Sequence, residues 1–267
     1  MNMRSLRTRY GDWALITGAA RAEGLGFAFA QKLAHEGMNL VLVDMLASEL
    51  AERAQEFQRQ YGIMVRPLVL DLAERDAVSA LTIQTSDIQI GMLVCNHMYT
   101  PSDTPMILDM PLETLDRMMD INARAYMALL HTFGNLMRHR KRGGIVVVTS
   151  GAALMPTPFT GAYAANKAFQ MTLGEVLWYE LKDAGVDVVT LVAGLMRTQA
   201  AINDYPAYLI AEPNDVVQET LAKLGKQHRV IPTVINKLML FVQVRLMPRQ
   251  QVINFMGNFM AKGLGKR

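Results

Sequence analysis

Short apolar runs alternate with segments of helical periodicity along most of this chain. The runs span residues 13–17, 40–43, 65–70, 90–95, 145–149 and 186–192. Between them apolar residues recur every three or four positions, which predicts helices over 46–61, 74–86, 111–138 and 161–184. Strands that alternate with helices build a parallel sheet covered by helices on both faces. The alternation therefore predicts an α/β fold with a doubly wound parallel sheet.

Length and composition are consistent with one domain over residues 1–267. A chain that is 51% hydrophobic and 19% charged can bury a large core and is not disordered. Net charge is only +3 and basic residues are scattered, so we expect no nucleic-acid partner. The five histidines lack metal-ligand spacing, so we expect no metal site.

The absence of a cysteine pair and of an apolar signal core suggests the cellular compartment. Cys95 is the single cysteine, which excludes an intrachain disulfide and fits a reducing environment. The basic N-terminal residues Arg4, Arg7 and Arg9 lead into no apolar signal core. We therefore expect a soluble cytoplasmic protein.

A glycine-rich turn follows the first apolar run. Thr17 and Gly18 end that run, and Gly24, Leu25 and Gly26 precede a helical pattern. Glycines let the backbone approach a pyrophosphate closely, and a helix N-terminus attracts its negative charge. The combination predicts a Rossmann-like dinucleotide-binding site.

Two residues near this turn favour different cofactors. Asp44 ends the second apolar run, 20 residues after Gly24, where a dinucleotide site carries its ribose-binding carboxylate. A carboxylate there accepts hydrogen bonds from a 2′-hydroxyl and repels a 2′-phosphate, which favours NAD. Arg21 lies in the turn, where a guanidinium could bind the 2′-phosphate of NADP or simply pair with Asp44 or Glu23. We predict NAD, with NADP as the alternative.

Tyr163 and Lys167 lie one helical turn apart, on one face of a predicted helix. A nearby ammonium favours the phenolate and lowers the pKa of a tyrosine towards the range where it can act as acid or base. Ser150 follows the fifth apolar run, at the edge where open α/β sheets bind ligands.

Together these motifs resemble the short-chain dehydrogenase/reductase family, in order and spacing, over about residues 10–235. The matching residues are Thr17, Gly18, Gly24, Gly26, Asp71, Asn96, Asn122, Ser150, Tyr163, Lys167, Ala193, Gly194 and Thr198. The resemblance implies NAD(P)-dependent oxidation of an alcohol or reduction of a ketone. It also implies a homodimer or homotetramer, with helices 111–138 and 161–184 at the dimer face.

The resemblance assigns a role to each residue of a catalytic tetrad. Tyr163 exchanges a proton with the substrate oxygen, and Ser150 hydrogen-bonds that oxygen. Lys167 binds the nicotinamide ribose and lowers the pKa of Tyr163. Asn122 positions a water molecule that connects Lys167 to solvent.

The cofactor-binding set implied by the resemblance is larger than the tetrad. Asp71 contacts the adenine, and Thr198 contacts the nicotinamide carboxamide. The full predicted set is Thr17, Gly18, Arg21, Gly24, Leu25, Gly26, Asp44, Asp71, Leu72, Asn96, Tyr163, Lys167, Gly194, Met196 and Thr198.

The chain departs from the family pattern at two places beside the cofactor. Residues 19–23 lengthen the glycine turn by two positions, and His97 and Met98 replace two small residues after the fourth strand. These changes motivate an alternative function, a nucleotide-binding sensor or scaffold that has lost turnover. We expect His97 to be a packed or hydrogen-bonded ring rather than a catalytic base.

The residues predicted on the substrate side are largely apolar. They include Met155, Phe159 and Met196, with Tyr205 and Tyr208 in a predicted lid over about 195–212. This composition favours a hydrophobic alcohol or ketone, although several of these side chains could simply pack the fold.

The C-terminal tail, about 233–267, carries two apolar helical stripes. The first comprises Ile235, Leu238, Met239, Val242 and Leu246, and the second comprises Val252, Phe255, Met256, Phe259 and Met260. We expect them to pack on the domain, the substrate entrance or a sister subunit. Two alternatives are an interfacial helix on an anionic membrane and a methionine-rich surface for apolar ligands.

Overall fold

Seven parallel strands form one sheet in a computed structural model that describes residues 5–101, 106–197 and 210–263. The strands are β1 Trp13–Thr17, β2 Asn39–Asp44, β3 Val65–Val69, β4 Ile90–Cys95, β5 Gly143–Ser150, β6 Val186–Ala193 and β7 Arg229–Val230. Their order in the sheet is β3-β2-β1-β4-β5-β6-β7, and every neighbouring pair is parallel. The order reverses between β1 and β4, which opens a crevice at their carboxyl ends.

Helices cover both faces of this sheet. They are α1 Leu6–Tyr10, α2 Leu25–His35, α3 Ala47–Tyr61, α4 Ala77–Gln84, α5 Leu112–Met119, α6 Ala125–His139, α7 Gly161–Glu180, α8 Pro213–Lys223, α9 Val234–Phe241 and α10 Arg249–Gly263. A π turn, Asp120–Arg124, joins α5 to α6 without interrupting the helical course.

Two core layers lie on opposite faces of the sheet because alternate strand residues point in opposite directions. Ala14 and Ile16 of β1 pack in the layer built with α2, α3 and α8. Leu15 packs in the other layer, with α4 and α6. Burial on both faces explains why the strands are continuous apolar runs rather than alternating ones.

The predicted fold class and all six predicted strands are confirmed. The predicted helix 111–138 exists but contains the π turn, and the helix predicted over 161–184 ends at Glu180, before a 3₁₀ turn at Lys182–Ala184. Strand β7 was not predicted because two residues carry no readable periodicity.

The C-terminal tail forms two helices joined by a second π turn, Val242–Leu246. The first predicted stripe does not pack on the domain, since Ile235, Leu238 and Leu246 are all exposed. In the second stripe Val252 is buried, whereas Phe255 is about half exposed. The structure therefore excludes packing of the first stripe on the domain, since a helical stripe shows periodicity but not which face is inward. Packing on the substrate entrance or on a sister subunit stays a prediction.

No helix in the described part of the chain has both the length and the apolar character needed to cross a membrane.

Two buried helical glycines offer a matched test of how α6 and α7 pack on the sheet. A Cβ on Gly174 of α7 would overlap the Thr190 hydroxyl and lie 3.2 Å from Val147 Cβ, whereas a Cβ on Gly134 of α6 would lie 3.9 Å from Ile145 Cδ1. We expect Gly174→Ala to lower the free energy of unfolding by about 1–3 kcal/mol through overpacking. Gly134→Ala should raise it by about 0.5–1 kcal/mol through helix propensity. Urea unfolding measures both, and equal effects would contradict the α7–sheet packing described above.

Candidate active site

A cleft of about 580 Å³ lies at the carboxyl ends of the strands. Most of the residues predicted from the sequence line it, because parallel strands present their ends at one edge of the sheet. They are Gly18, Arg21, Gly24, Leu25, Asp44, Asp71, Leu72, Asn96, Ser150, Tyr163, Lys167, Gly194 and Met196. Thr17, Gly26 and Asn122 lie behind this lining and support it, as the contacts below show. Thr198 lies outside the described residues.

The lengthened glycine turn keeps the start of α2 in the cleft. The two extra positions are accommodated in a tight turn that Gly24 closes by donating its N–H to the Arg21 carbonyl at 3.0 Å. No side chain caps the helix at Gly24, so the backbone N–H groups of its first turn are available to an anion. Gly26 lies against the Gly18 carbonyl so closely that a Cβ would overlap it. The turn therefore has the features of a phosphate cradle despite its unusual length.

Asp44 is held by backbone donors from both sides. Its Oδ2 accepts from Ala20 N at 3.0 Å, and its Oδ1 accepts from Met45 N at 2.8 Å and Leu46 N at 3.3 Å. These bonds fix the carboxylate at one end of the cleft. Arg21 is exposed at the same end, and within the described residues it forms no ion pair with Asp44 or Glu23.

His97 bridges β1 to the π turn. Its Nε2 lies 3.0 Å from the Ile121 carbonyl, which can only accept, so Nε2 carries the proton. Its Nδ1, 2.8 Å from Thr17 Oγ1, is then the acceptor of the hydroxyl proton. Burial, together with the charge of Lys167, lowers the pKa of His97 to about 3. The ring is therefore neutral and hydrogen-bonded, as expected, and has no proton to donate at neutral pH beyond the one it already shares with Ile121.

Asn122 lies in the π turn with its polar groups engaged. Its Oδ1 accepts from Tyr99 N at 2.8 Å, and its Nδ2 donates to Tyr99 O at 2.7 Å. Its own carbonyl accepts from Gln170 Nε2 at 2.7 Å. A carbonyl has two lone pairs, so one remains for the water that the family resemblance implies.

Gln170 was not recognised from the sequence. It lies on α7 three residues after Lys167, fully buried, and its contact with Asn122 crosses 48 residues of chain. The only local signal was its position on the Lys167 face of the helix.

Ser150, Tyr163 and Lys167 meet at the wall of the cleft. Ser150 ends β5 and hydrogen-bonds the Tyr163 hydroxyl. The Lys167 Nζ lies 5.7 Å from the centre of the Tyr163 ring and donates to the Val148 carbonyl at 3.3 Å. Only 3% of Lys167 is exposed, so its ammonium has little contact with water.

Burial controls the ionisation of Tyr163 and Lys167. Desolvation raises the pKa of Tyr163, and the hydrogen bond with Ser150 offsets this only in part. Desolvation also lowers the pKa of Lys167 to about 7. The sequence predicted a lowered pKa for Tyr163, but in this structure the direction is the opposite, because desolvation of the Tyr163 hydroxyl disfavours its phenolate more than the Ser150 hydrogen bond favours it.

Asp71 lies on the far wall of the cleft, where two contacts hold its carboxylate. Partial burial disfavours its charge, but the Ala73 N–H and the Arg117 guanidinium, at 2.9 and 2.8 Å, hold the pKa of Asp71 below its usual range. The Arg117 guanidinium also lies 5.5 Å from the centre of the Tyr99 ring. Among the residues that the structure describes, no cluster of His, Cys, Asp or Glu could hold a metal ion.

The predicted substrate side divides between the cleft and the core. Met196 lines the cleft, whereas Met155 is buried in a small cluster with Val192 and Leu240 and therefore packs the fold. Tyr205 and Tyr208 lie outside the described residues.

Comparison with known families places this geometry in context. The sequence profile of the short chain dehydrogenase family matches residues 12–208. This chain belongs to the short-chain dehydrogenase family. The match contains the glycine turn, Asp44, Asn122, Ser150, Tyr163 and Lys167, and supports an NAD(P)-dependent oxidoreductase.

Individual short-chain dehydrogenases resemble the chain over nearly its full length. A 7β-hydroxysteroid dehydrogenase of Mediterraneibacter gnavus is 29% identical over 266 residues, covering 96% of this chain and 98% of the relative. A solved 7β-hydroxysteroid dehydrogenase structure superposes with a TM-score of 0.89 at 27% identity, covering 95% of this chain and 99% of that chain. A short-chain dehydrogenase from Sphingobium yanoikuyae, solved in complex with NADPH, shares the fold with a TM-score of 0.75 at 23% identity, covering 88% and 96% of the two chains.

The buried Lys167 predicts a pH-dependent stability. Its pKa is about 7 in the folded protein and about 10.5 in the unfolded chain, so between these values the unfolded chain binds more protons and stability rises with pH. Lys167→Met removes the ammonium and keeps an unbranched side chain that is only one atom shorter. We expect the variant to be more stable than the native protein at pH 7.5, and this advantage to shrink by about 2 kcal/mol by pH 9.5. Urea unfolding at the two pH values measures the difference, and a constant difference would show that Lys167 is not desolvated in solution.

Proposed function

We propose that this protein transfers a hydride between a nicotinamide cofactor, preferentially NAD, and a hydrophobic secondary alcohol or ketone. Tyr163 acts as the general acid or base. The observation that carries the proposal is the partly buried Tyr163, hydrogen-bonded to Ser150 and one helical turn from Lys167, at the wall of the cleft.

The cleft residues fit a dinucleotide at both of its ends. The uncapped first turn of α2 would receive the pyrophosphate, and the carboxylate of Asp44 would accept from the adenosine ribose hydroxyls. Lys167 would donate to the nicotinamide ribose. A bound nicotinamide supplies the hydride acceptor in the oxidative direction and the hydride donor in the reductive direction.

The protein's own contribution is the movement of a proton. In ketone reduction negative charge develops on the substrate oxygen, and the Tyr163 phenol gives its proton to that atom as the charge forms. The Ser150 hydroxyl stabilises the same oxygen by hydrogen bonding. In the oxidative direction the alcohol proton passes to the Tyr163 oxygen. A raised pKa keeps Tyr163 protonated until an oxyanion appears, which suits the reductive role in particular.

A rigid apolar alcohol such as a hydroxysteroid is the first substrate class to test. Two observations support this choice. Ile121, Val148 and Met196 are apolar residues of the cleft lining that also contains Tyr163. The relatives of matching length and the solved structure with the higher TM-score are 7β-hydroxysteroid dehydrogenases.

The preference for NAD is supported by Asp44. Three backbone N–H groups hold its carboxylate in place, so a 2′-phosphate could not displace it without breaking those bonds. Arg21 and the NADPH complex of the Sphingobium yanoikuyae protein weigh towards NADP. The charge of Asp44 is the stronger term because its position is fixed, whereas Arg21 is exposed.

Replacing the tyrosine hydroxyl separates chemistry from binding. Tyr163→Phe should lower kcat by at least about 100-fold, since general acid–base catalysis contributes roughly 10²–10⁴-fold. Its affinity for NADH, measured by fluorescence titration, should change less than threefold by our estimate, or about 0.6 kcal/mol. Tyr179→Phe removes an exposed hydroxyl from the same helix and should be neutral. If Tyr163→Phe retained the native rate, or if the native protein had none, the scaffold alternative would replace this proposal.

Cofactor choice is tested at Asp44. The native protein should bind NADH at least about tenfold more tightly than NADPH, because charge-assisted hydrogen bonds contribute about 1.5–3 kcal/mol each. Asp44→Ser should remove this preference, and Asp44→Asn, which keeps the size and one oxygen acceptor, should weaken it. Tighter NADPH binding by the native protein would contradict the proposal, and in that case Arg21→Ala should abolish the NADPH preference.

A further inference from the structure

The C-terminal surface is formed by α9, the second π turn and α10. In α9 and the π turn the buried residues are Asn236, Leu240 and Gln243, spaced as one helical stripe, and two of these three are polar. In α10 the buried residues are Val252 and Ala261. The outward residues are large and apolar: Val234, Ile235, Leu238, Met239, Phe241, Val242, Val244, Leu246, Ile253, Phe255 and Phe259 are all exposed. Five of them, Ile235, Leu238, Met239, Val242 and Phe255, line one groove and are therefore contiguous. A contiguous apolar surface marks a site of interaction rather than a solvated face.

The charges on this surface all have one sign. No Asp or Glu follows Glu219 in the sequence. Arg245, Arg249 and Lys262 are exposed on the same helices, and no ion-pair partner is found for them among the described residues. Lys237, by contrast, pairs with Glu219 at 2.7 Å. The surface therefore combines apolar side chains with uncompensated positive charge.

We propose that this C-terminal surface binds an anionic membrane peripherally. Basic residues attract anionic headgroups, and exposed apolar side chains insert at the boundary between headgroups and acyl chains. A second copy of the chain is a poorer occupant. A two-fold interface places the same patch on both partners, so the positive charges of Arg245 and Arg249 would meet a second surface of the same sign.

The surface adjoins the substrate end of the cleft. Leu240 Cδ2 lies 3.6 Å from where a Cβ on Gly151 would be, next to Ser150, and Asn236 packs directly on Gly194. A membrane bound at the outer face of α9 would thus lie beside the cleft wall that holds Ser150. This placement would let an apolar substrate pass from the bilayer into the cleft. That last step depends on the proposed function, whereas membrane binding itself does not.

Vesicle co-sedimentation of the full chain tests the proposal. We expect binding to phosphatidylcholine vesicles that contain phosphatidylglycerol, weaker binding to phosphatidylcholine alone, and release by added salt. Each basic residue near an anionic surface contributes about fivefold, so Arg245→Gln, Arg249→Gln and Lys262→Gln together should weaken partitioning by about 100-fold. Leu238→Glu with Leu246→Glu should abolish it. These residues are exposed, so the variants should fold normally, which circular dichroism and thermal unfolding would verify.

Control variants place the same changes elsewhere on the surface. Ile83→Glu introduces a carboxylate at an apolar side chain of α4 that is 73% exposed, and Arg59→Gln removes a cation from α3. Both should partition as the native protein does. Equal binding to neutral and anionic vesicles, or native binding by the triple arginine and lysine variant, would overturn the proposal.

Two further measurements separate the alternatives. If light scattering without lipid showed a dimer that Leu246→Glu dissociates, the surface would be a subunit interface and the membrane proposal would be wrong. Turnover of a water-soluble ketone without vesicles should be the same in Leu246→Glu and the native protein. A chain that binds anionic vesicles but reduces no ketone would refute the proposed function and leave the membrane proposal intact.

Discussion

The hydrogen bonds of His97 hold two parts of the cleft in a fixed relative position, the glycine turn and the π turn. One ring nitrogen accepts from Thr17, beneath the glycine turn, and the other donates to the Ile121 carbonyl, in the π turn that holds Asn122. Because the ring is buried and neutral, both bonds persist across the physiological pH range. The substitution that departs most from the family pattern is therefore accommodated as a structural link between the phosphate cradle and the polar residues around Lys167.

Desolvation dominates the electrostatics of Tyr163 and Lys167, which line the cleft near these polar residues. Lys167 is buried and Tyr163 is partly buried, and burial opposes the charged form of each. Lys167 is therefore only partly charged at neutral pH, and in the proposed reduction Tyr163 keeps its proton until the substrate oxygen develops charge. Negative groups placed beside Lys167 would favour its ammonium form and thereby the tyrosinate. The chemistry of the site is thus sensitive to what binds in it.

Local sequence patterns were sufficient for the sheet and for the residues at the ends of its strands. Ser150 and Asp44 could be placed because the end of a parallel strand is a fixed position in the fold, and Tyr163 and Lys167 because helical spacing is local. The contacts of Gln170 with Asn122 and of His97 with Ile121 could not be predicted, since each joins residues far apart in the chain. The pKa directions also escaped prediction, because they depend on depth of burial rather than on spacing.

The C-terminal tail shows a further limit of prediction from local sequence patterns. Periodicity revealed two apolar stripes, but a periodic pattern is unchanged when a helix turns about its axis, so the sequence could not show which stripe faces the domain. In the structure Asn236 and Leu240 occupy the inward positions of α9 and pack on Gly194 and Gly151 beside the cleft. The packing that completes the active-site wall thereby directs the apolar stripe outward. A constraint imposed by the cleft thus leaves an apolar, positively charged surface on the opposite side of the same helix, which is the surface that we propose to bind an anionic membrane.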